Sequence, residues 1–236
     1  MLCVVSLHGF AQVRLGIQGG VSVANFWQTE GFSGLVTRLS SSPIAAYHGG
    51  IIAEVDLGSH LVLQPALLYF ESGSHLQNTT GFVNPPGLDI NYSNTTVKLY
   101  SLRLPVNLVW KIDIDKKTKI LFGLGPYIAQ GTSGTEKGYY IAEQLSSNSA
   151  VRVPIDNKIH FSNATSYATS GMSYASSFDI GGNILAGVEY KKFQLTIDFN
   201  RGLSRMYRSF DANCGTLAWN FSLAYYIFGH NRKPQP

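Results

Sequence analysis

Alternation at every second residue is the feature that most limits what this chain can fold into. In the stretch GTLAWNFSLAYYIFG (215–229), Leu217, Trp219, Phe221, Leu223, Tyr225 and Ile227 hold one parity, and Ala218, Asn220, Ser222 and Ala224 hold the other. A strand sends successive side chains to opposite faces, so one face here is large and apolar and the other small and polar. The same alternation recurs over 13–24, 47–57, 61–69, 98–110, 120–128, 178–190 and 193–199, which predicts eight strands in all.

The connections between these strands alternate in length. Tight reversals are expected at 57–60 (LGSH), 113–118 (DIDKKT) and 190–192 (YKK), where Gly, Asp and Lys interrupt the pattern. Long links rich in Ser, Thr, Asn and Gly fill roughly 26–45, 73–96, 131–175 and 202–213. The longest of these carries a candidate hairpin in YYIAEQL (139–145) and AVRVPI (150–155). Short turns at one end and long loops at the other are the asymmetry of an outer-membrane barrel.

Composition decides which face meets water. Charged residues make up 14% of the chain, against roughly 25% in soluble domains, and no apolar run nears the ~18 residues of a spanning helix. On the polar parity small residues (Gly16, Gly20, Ser22, Ser101, Gly123, Gly125, Gly181, Gly187, Ser222) are mixed with Arg14, Glu54, Arg103, Asn107, Asp179, Asn183, Asp198 and Asn220, and Lys is nearly absent. A solvated surface would carry Lys and Glu throughout. A narrow lumen, by contrast, needs charges that pair and glycines that make room. The expected fold is therefore all-β, an eight-stranded antiparallel up-and-down transmembrane barrel with its apolar face toward lipid. A soluble lipocalin-like carrier of a small ligand is the alternative.

The girdle aromatics expected on the lipid side are Trp110, Tyr190, Phe193 and Tyr225 near the short turns, Tyr69, Tyr100 and Phe178 near the long loops, and Trp219 on the same face. Tyr100 and Trp110 share that face, and at ~3.4 Å per residue and a tilt of about 40° they span about 26 Å, close to the apolar band of a barrel. Inside, Arg14 is expected to pair with Glu54 or Asp56 near the short-turn end, and Arg103 with Asp179 or Asp198 across the middle, because charges withdrawn from water must be paired.

MLCVVSLHGFA (1–11) reads as the end of a secretory signal with cleavage before Gln12, which leaves a barrel over 12–229 and a polar tail over 230–236. Cys3 leaves with that leader and Cys214 stays alone, so no disulfide braces the mature fold. The net charge of +4 is scattered and does not form the basic stripe that nucleic-acid binding requires.

The residues RLGIQGGVSVANF, LVLQPALLYFESGS, LRLPVNLVWKI with ILFGLGPYIAQGTSG, DIGGNILAGVEYKKFQLTIDFNRGLS and FSLAYYIF resemble the PorT-like porin-family outer-membrane β-barrel proteins of Bacteroidetes. The resemblance implies a periplasmic N-terminus, location in the bacterial outer membrane and, for some relatives, a part in secretion and gliding machinery. It carries no catalytic residue with it.

No catalytic, cofactor-binding or metal-binding set emerges from the sequence. His75 and His160 lie in long links with Asp89 and Asp156 available, but no nucleophile-elbow or zinc-helix pattern accompanies them. A small outer-membrane enzyme with a rim site is the least favoured reading. Arg201, Arg205 and Arg208 sit close together where the seventh strand ends and are candidates for contact with lipopolysaccharide phosphates. Asn-x-Ser/Thr matches at Asn78, Asn91, Asn94 and Asn163 mark only loop-like composition. The expected function is a non-enzymatic scaffold that presents its loops outside the cell, with membrane lipid, lipopolysaccharide and other envelope proteins as partners.

Overall fold

The computed structural model describes residues 13–30, 36–58, 60–84, 87–144, 149–161, 173–204, 207–209 and 212–229. The expected leader (1–11) and polar tail (230–236) lie outside them. The chain forms β1 (Val13–Glu30), β2 (Val36–Ser42), β3 (Ile44–Asp56), β4 (Leu61–Asn84), β5 (Gly87–Asp113), β6 (Thr118–Gln144), β7 (Ser149–Phe161), β8 (Ser173–Ala175), β9 (Phe178–Tyr190), β10 (Phe193–Gly202), β11 (Tyr207–Ser209) and β12 (Ala212–Phe228).

Eight of these strands close a ring. β1 pairs antiparallel with β3, β3 with β4, β4 with β5, β5 with β6, β6 with β9, β9 with β10, β10 with β12, and β12 returns to β1. Closure leaves no free edge inside the ring, which is the condition for crossing hydrocarbon with strands. Among the described residues no helix is long and apolar enough to cross a membrane.

Alternation fixes which side chains face out. Val21 is 62% exposed, Ile184 60%, Leu223 51% and Trp219 49%, whereas their neighbours Ser22, Asn183, Ser222 and Asn220 are buried. The apolar parity therefore lines the outer wall and the polar parity fills the lumen. That arrangement removes the soluble carrier reading, since such a surface in water would be a continuous apolar patch.

The turns are short where expected. The Leu57 amide donates to the Leu61 carbonyl at 2.9 Å, and the Ile114 amide to the Thr118 carbonyl at 3.0 Å. Between Tyr190 and Phe193, Lys191 turns the chain with φ of 57°, a left-handed conformation that L-residues adopt at a cost.

Two long links depart from the sequence reading. Residues 73–96 continue as paired strand rather than loop, from Gly73↔Lys98 up to Asn84↔Gly87. Likewise β6 runs on to Gln144 and turns into β7, with Gln144 opposite Ser149 and Tyr139 opposite Pro154, so the candidate hairpin forms and is longer than its motifs. Ladder hydrogen bonds hold these polar segments as strand although periodicity does not mark them. β2 adds to the far side of β4 over Val36↔Gly81 to Ser42↔His75, giving a sheet β2–β4–β5–β6–β7 that rises beyond the ring.

Candidate functional site: a filled lumen

Four charged side chains close the short-turn end of the lumen. Arg14 from β1 meets Glu54 of β3 at 2.6 Å and Glu189 of β9 at 2.8 Å, while Lys111 from β5 meets the same two carboxylates at 2.5 Å each. Each anion is shared by both cations, so two positive and two negative charges form a neutral lattice. Tyr226 of β12 lies beneath the Arg14 guanidinium at 4.1 Å from its ring centre. Its hydroxyl donates to Gln194 Oε1 at 2.9 Å, and Gln64 Nε2 donates to Glu54 Oε2 at 2.8 Å. Of the two partners expected for Arg14, the structure brings Glu54 to it at 2.6 Å. Glu189 and Lys111 complete the lattice and were not singled out in the sequence, although both hold the inward parity of β9 and β5.

Above the lattice lies a chamber of about 40 Å³, lined among others by His48, Phe70, Arg103, Asn183, Asp198, Asn220 and Ser222. It has room for a few waters and no larger ligand. His48 places Nδ1 3.1 Å from Ser22 Oγ and Nε2 2.8 Å from Ser222 Oγ. Gly20 makes this fit, because a Cβ there would stand 2.9 Å from the imidazole. Asp198 Oδ1 accepts from Asn200 Nδ2 at 2.7 Å and Asn220 Nδ2 at 2.6 Å, and Asn183 Nδ2 donates to Asn107 Oδ1 at 2.6 Å.

Arg103 corrects an expectation. It does not form an ion pair with Asp179 or Asp198; its guanidinium is clamped between Phe70 at 3.7 Å and Tyr127 at 4.2 Å. A planar guanidinium stacks on aromatic faces, and the two rings flank it from β4 and β6. Asp179 instead accepts at Oδ2 from the Tyr127 hydroxyl at 3.0 Å and from Thr216 Oγ1 at 2.9 Å. Gly181 leaves space for the Tyr127 ring, which a Cβ would approach to 2.5 Å.

The long-loop end is closed by hydrocarbon. Phe26, Leu76, Val97, Leu99, Ile159, Ala175 and Cys214 form one buried cluster, with Phe161 against it. Smaller buried apolar clusters, such as Val62, Val109 and Leu121, also sit among the polar groups of the ring interior. Cys214 is free and buried in that cap.

On the outer wall, Tyr69, Trp110, Phe178, Tyr190, Phe193, Trp219 and Tyr225 are all exposed, and Tyr100 stacks on Tyr69 at 5.8 Å. Phe193 packs on Tyr225 at 4.9 Å, beside the 191–192 turn. Arg201 is exposed on the same wall; the side chains of Arg205 and Arg208 lie outside the described residues. Of the loop histidines, His75 places Nδ1 3.0 Å from Thr96 Oγ1, and His160 is exposed. Asp156 pairs with Lys137 at 3.2 Å, and the side chain of Asp89 is outside the described set. Among the described residues no group of His, Cys, Asp and Glu is placed to hold a metal.

Residues 10–208 match the sequence model of the outer membrane protein beta-barrel domain. The chain belongs to that family. It is accordingly an outer-membrane protein, and the lipid-facing assignment of its apolar parity follows from the family as well as from the geometry. No curated protein matches the sequence. Among solved structures, the barrel resembles Neisserial surface protein A, at 13% identity with 90% of this chain and 97% of that one covered and a TM-score of 0.41. It also resembles OprG from Pseudomonas aeruginosa (8% identity, 92% and 96% covered, TM-score 0.46) and the outer membrane protease OmpT from Escherichia coli (11% identity, 92% and 97% covered, TM-score 0.47).

Proposed function

We propose that this outer-membrane barrel is a non-enzymatic scaffold that presents the sheet beyond the membrane to other envelope proteins, with a role in secretion or envelope assembly of the kind the PorT-like resemblance implies. The observation that carries this reading is the division of labour along the strands. The lumen is filled from the ionic lattice to the apolar cap, while β5 and β6 run to 27 residues each, against the ~9–11 needed to cross a bilayer. The excess length is built into an ordered sheet outside the membrane.

That sheet offers a surface with interface chemistry. Tyr92 and Tyr139 lie 6.4 Å apart, and Arg152 stacks on Tyr139 at 3.7 Å. Tyrosine and arginine dominate protein contacts energetically because they combine large apolar area with polar tips. The β7 edge beside this patch carries Arg152, Pro154, Asp156 and Lys158, which guard it against self-pairing.

The test places photo-crosslinking side chains at Tyr92, Tyr139 and Arg152 in intact cells, and at lipid-facing Leu195 and Ile197 as controls. Defined protein adducts from the sheet positions and none from the wall are expected. Equal labelling from both sets would defeat the scaffold reading. So would hydrolysis of ester or peptide substrates by the purified protein that is lost in His75→Ala.

A further inference from the structure

The outer wall is indented between β6, β9 and β10. Leu124, Pro126, Ile184 and Phe199 surround a depression of about 450 Å³ that opens toward lipid. Its floor lies at Gly182, which is exposed. A Cβ at Gly182 would meet nothing nearer than the Gly125 carbonyl oxygen at 3.8 Å, whereas at Gly125 and Gly181 it would come within 2.1 and 2.4 Å of backbone oxygens. Packing therefore demands glycine at 125 and 181 and leaves 182 free to carry a side chain; the missing one makes the depression. Phe199 is held upright on one side by Trp219, ring centres 4.9 Å apart.

A cation stands at the upper end. Arg201 lines the depression and is exposed, with its guanidinium 5.1 Å over the Trp27 ring. Trp27 is itself fixed by its Nε1, which donates to the Gly202 carbonyl at 2.9 Å. Among the described residues no carboxylate forms an ion pair with Arg201. Arg201 and the girdle residue Phe193 share one face of β10, and at ~3.4 Å per residue and a tilt of about 40° Arg201 lies about 21 Å above Phe193. The guanidinium is thus near the upper boundary of the apolar band, with a hydrocarbon-lined groove directly below it.

We propose that this groove seats an acyl chain of a phosphorylated outer-leaflet glycolipid whose phosphate is bound by Arg201. An unpaired guanidinium at headgroup height calls for an anion, and its fork matches phosphate oxygens. The groove below is apolar and too open for a soluble ligand. The leaflet on the side of the long loops is made of phosphorylated, multiply acylated glycolipid, which supplies both parts in one molecule. The assignment rests on the orientation of the barrel and is independent of the scaffold role.

Native mass spectrometry of the protein extracted from outer membranes into mild detergent tests it. The unaltered protein is expected to retain one phosphorylated glycolipid, and Arg201→Gln to lower that occupancy about tenfold by removing the phosphate ligand. Gly182→Leu, which fills the groove and leaves Arg201 in place, should lower it comparably. Arg152→Gln, on the distant sheet, should leave it unchanged, and a heat-dependent gel shift checks that each variant has folded. Retention within twofold of the unaltered protein in both Arg201→Gln and Gly182→Leu would overturn the site, and so would retention of phospholipid in place of glycolipid.

Discussion

At the residue scale the lumen is governed by charge balance. Glu54 and Glu189 each answer to Arg14 and Lys111 within 2.9 Å except for the Nε contact of Arg14 at 3.0 Å, so removing one cation leaves two buried carboxylates to share a single positive charge. Breaking a buried ionic group by deleting one partner costs about 3–5 kcal/mol, whereas removing a matched pair costs far less. Arg14→Met should therefore destabilise the barrel by about 3–5 kcal/mol in urea unfolding from lipid vesicles, followed by tryptophan fluorescence. Lys111→Met combined with Glu189→Gln keeps the Arg14–Glu54 pair and should cost less than Arg14→Met alone. A double variant as damaging as the single one would mean that packing, and not charge, dominates this end. Arg14, Glu54 and Glu189 all sit on the polar parity and were readable there; Lys111 follows from the same alternation one step past Trp110. What alternation could not show was that aromatic rings would claim Arg103, because the approach of Phe70 and Tyr127 depends on how far neighbouring strands are staggered.

At the scale of the element, turns and strand lengths carry the contrast. The eight ring strands were legible because a buried polar parity and a lipid-facing apolar parity leave a period-2 signal in each of them. The extensions of β4 and β5 were not, and that of β6 only in its hairpin arm at 139–145, because both faces tolerate Ser, Thr, Asn and Gly once the strand has left the membrane. The 114–117 turn shows how a short connection is fixed by one side chain. Asp115 Oδ1 accepts from the backbone amides of Lys117 at 2.6 Å and Thr118 at 2.9 Å, and Oδ2 accepts from Thr118 Oγ1 at 2.9 Å. The Lys117 amide is the main cause that holds this carboxyl below its ordinary range. A carboxyl lowered in the folded state stabilises the turn fully above its unfolded-state pKa, and that contribution fades as pH falls through the lower folded value. The turn should stay capped through neutral and mildly acid solution and loosen only in stronger acid. A carbon-detected NMR titration of Asp115 should place its midpoint below that of an exposed aspartate, and Asp115→Asn should abolish the pH dependence of the Thr118 amide shift. A midpoint at the ordinary value would show that the cap is not formed in the membrane-embedded protein.

For the whole molecule, the consequence of the packing is three seals in series. An eight-stranded ring has an interior just wide enough for side chains to fill. Here it is filled three times over: by the Arg14–Glu54–Lys111–Glu189 lattice, by Arg103 between its two rings, and by the apolar cap around Leu99. An ion crossing the barrel meets each in turn, and the highest barrier alone limits the current, so opening one seal leaves the others in control. Planar-bilayer recordings should show no stepwise conductance from the unaltered protein. Leu99→Ala should destabilise the cap by about 2–4 kcal/mol, as large-to-small changes in packed cores do, without producing current, because the lattice still closes the opposite end. Lys111→Ala with Glu189→Ala thins the lattice but leaves the cap and should also stay silent. Only when these changes are combined with Arg103→Ala should small steps appear, since the polar parity then lines a continuous path. Conductance from the unaltered protein, or from any variant with one seal changed, would show that the lumen breathes on a scale the packed side chains do not allow.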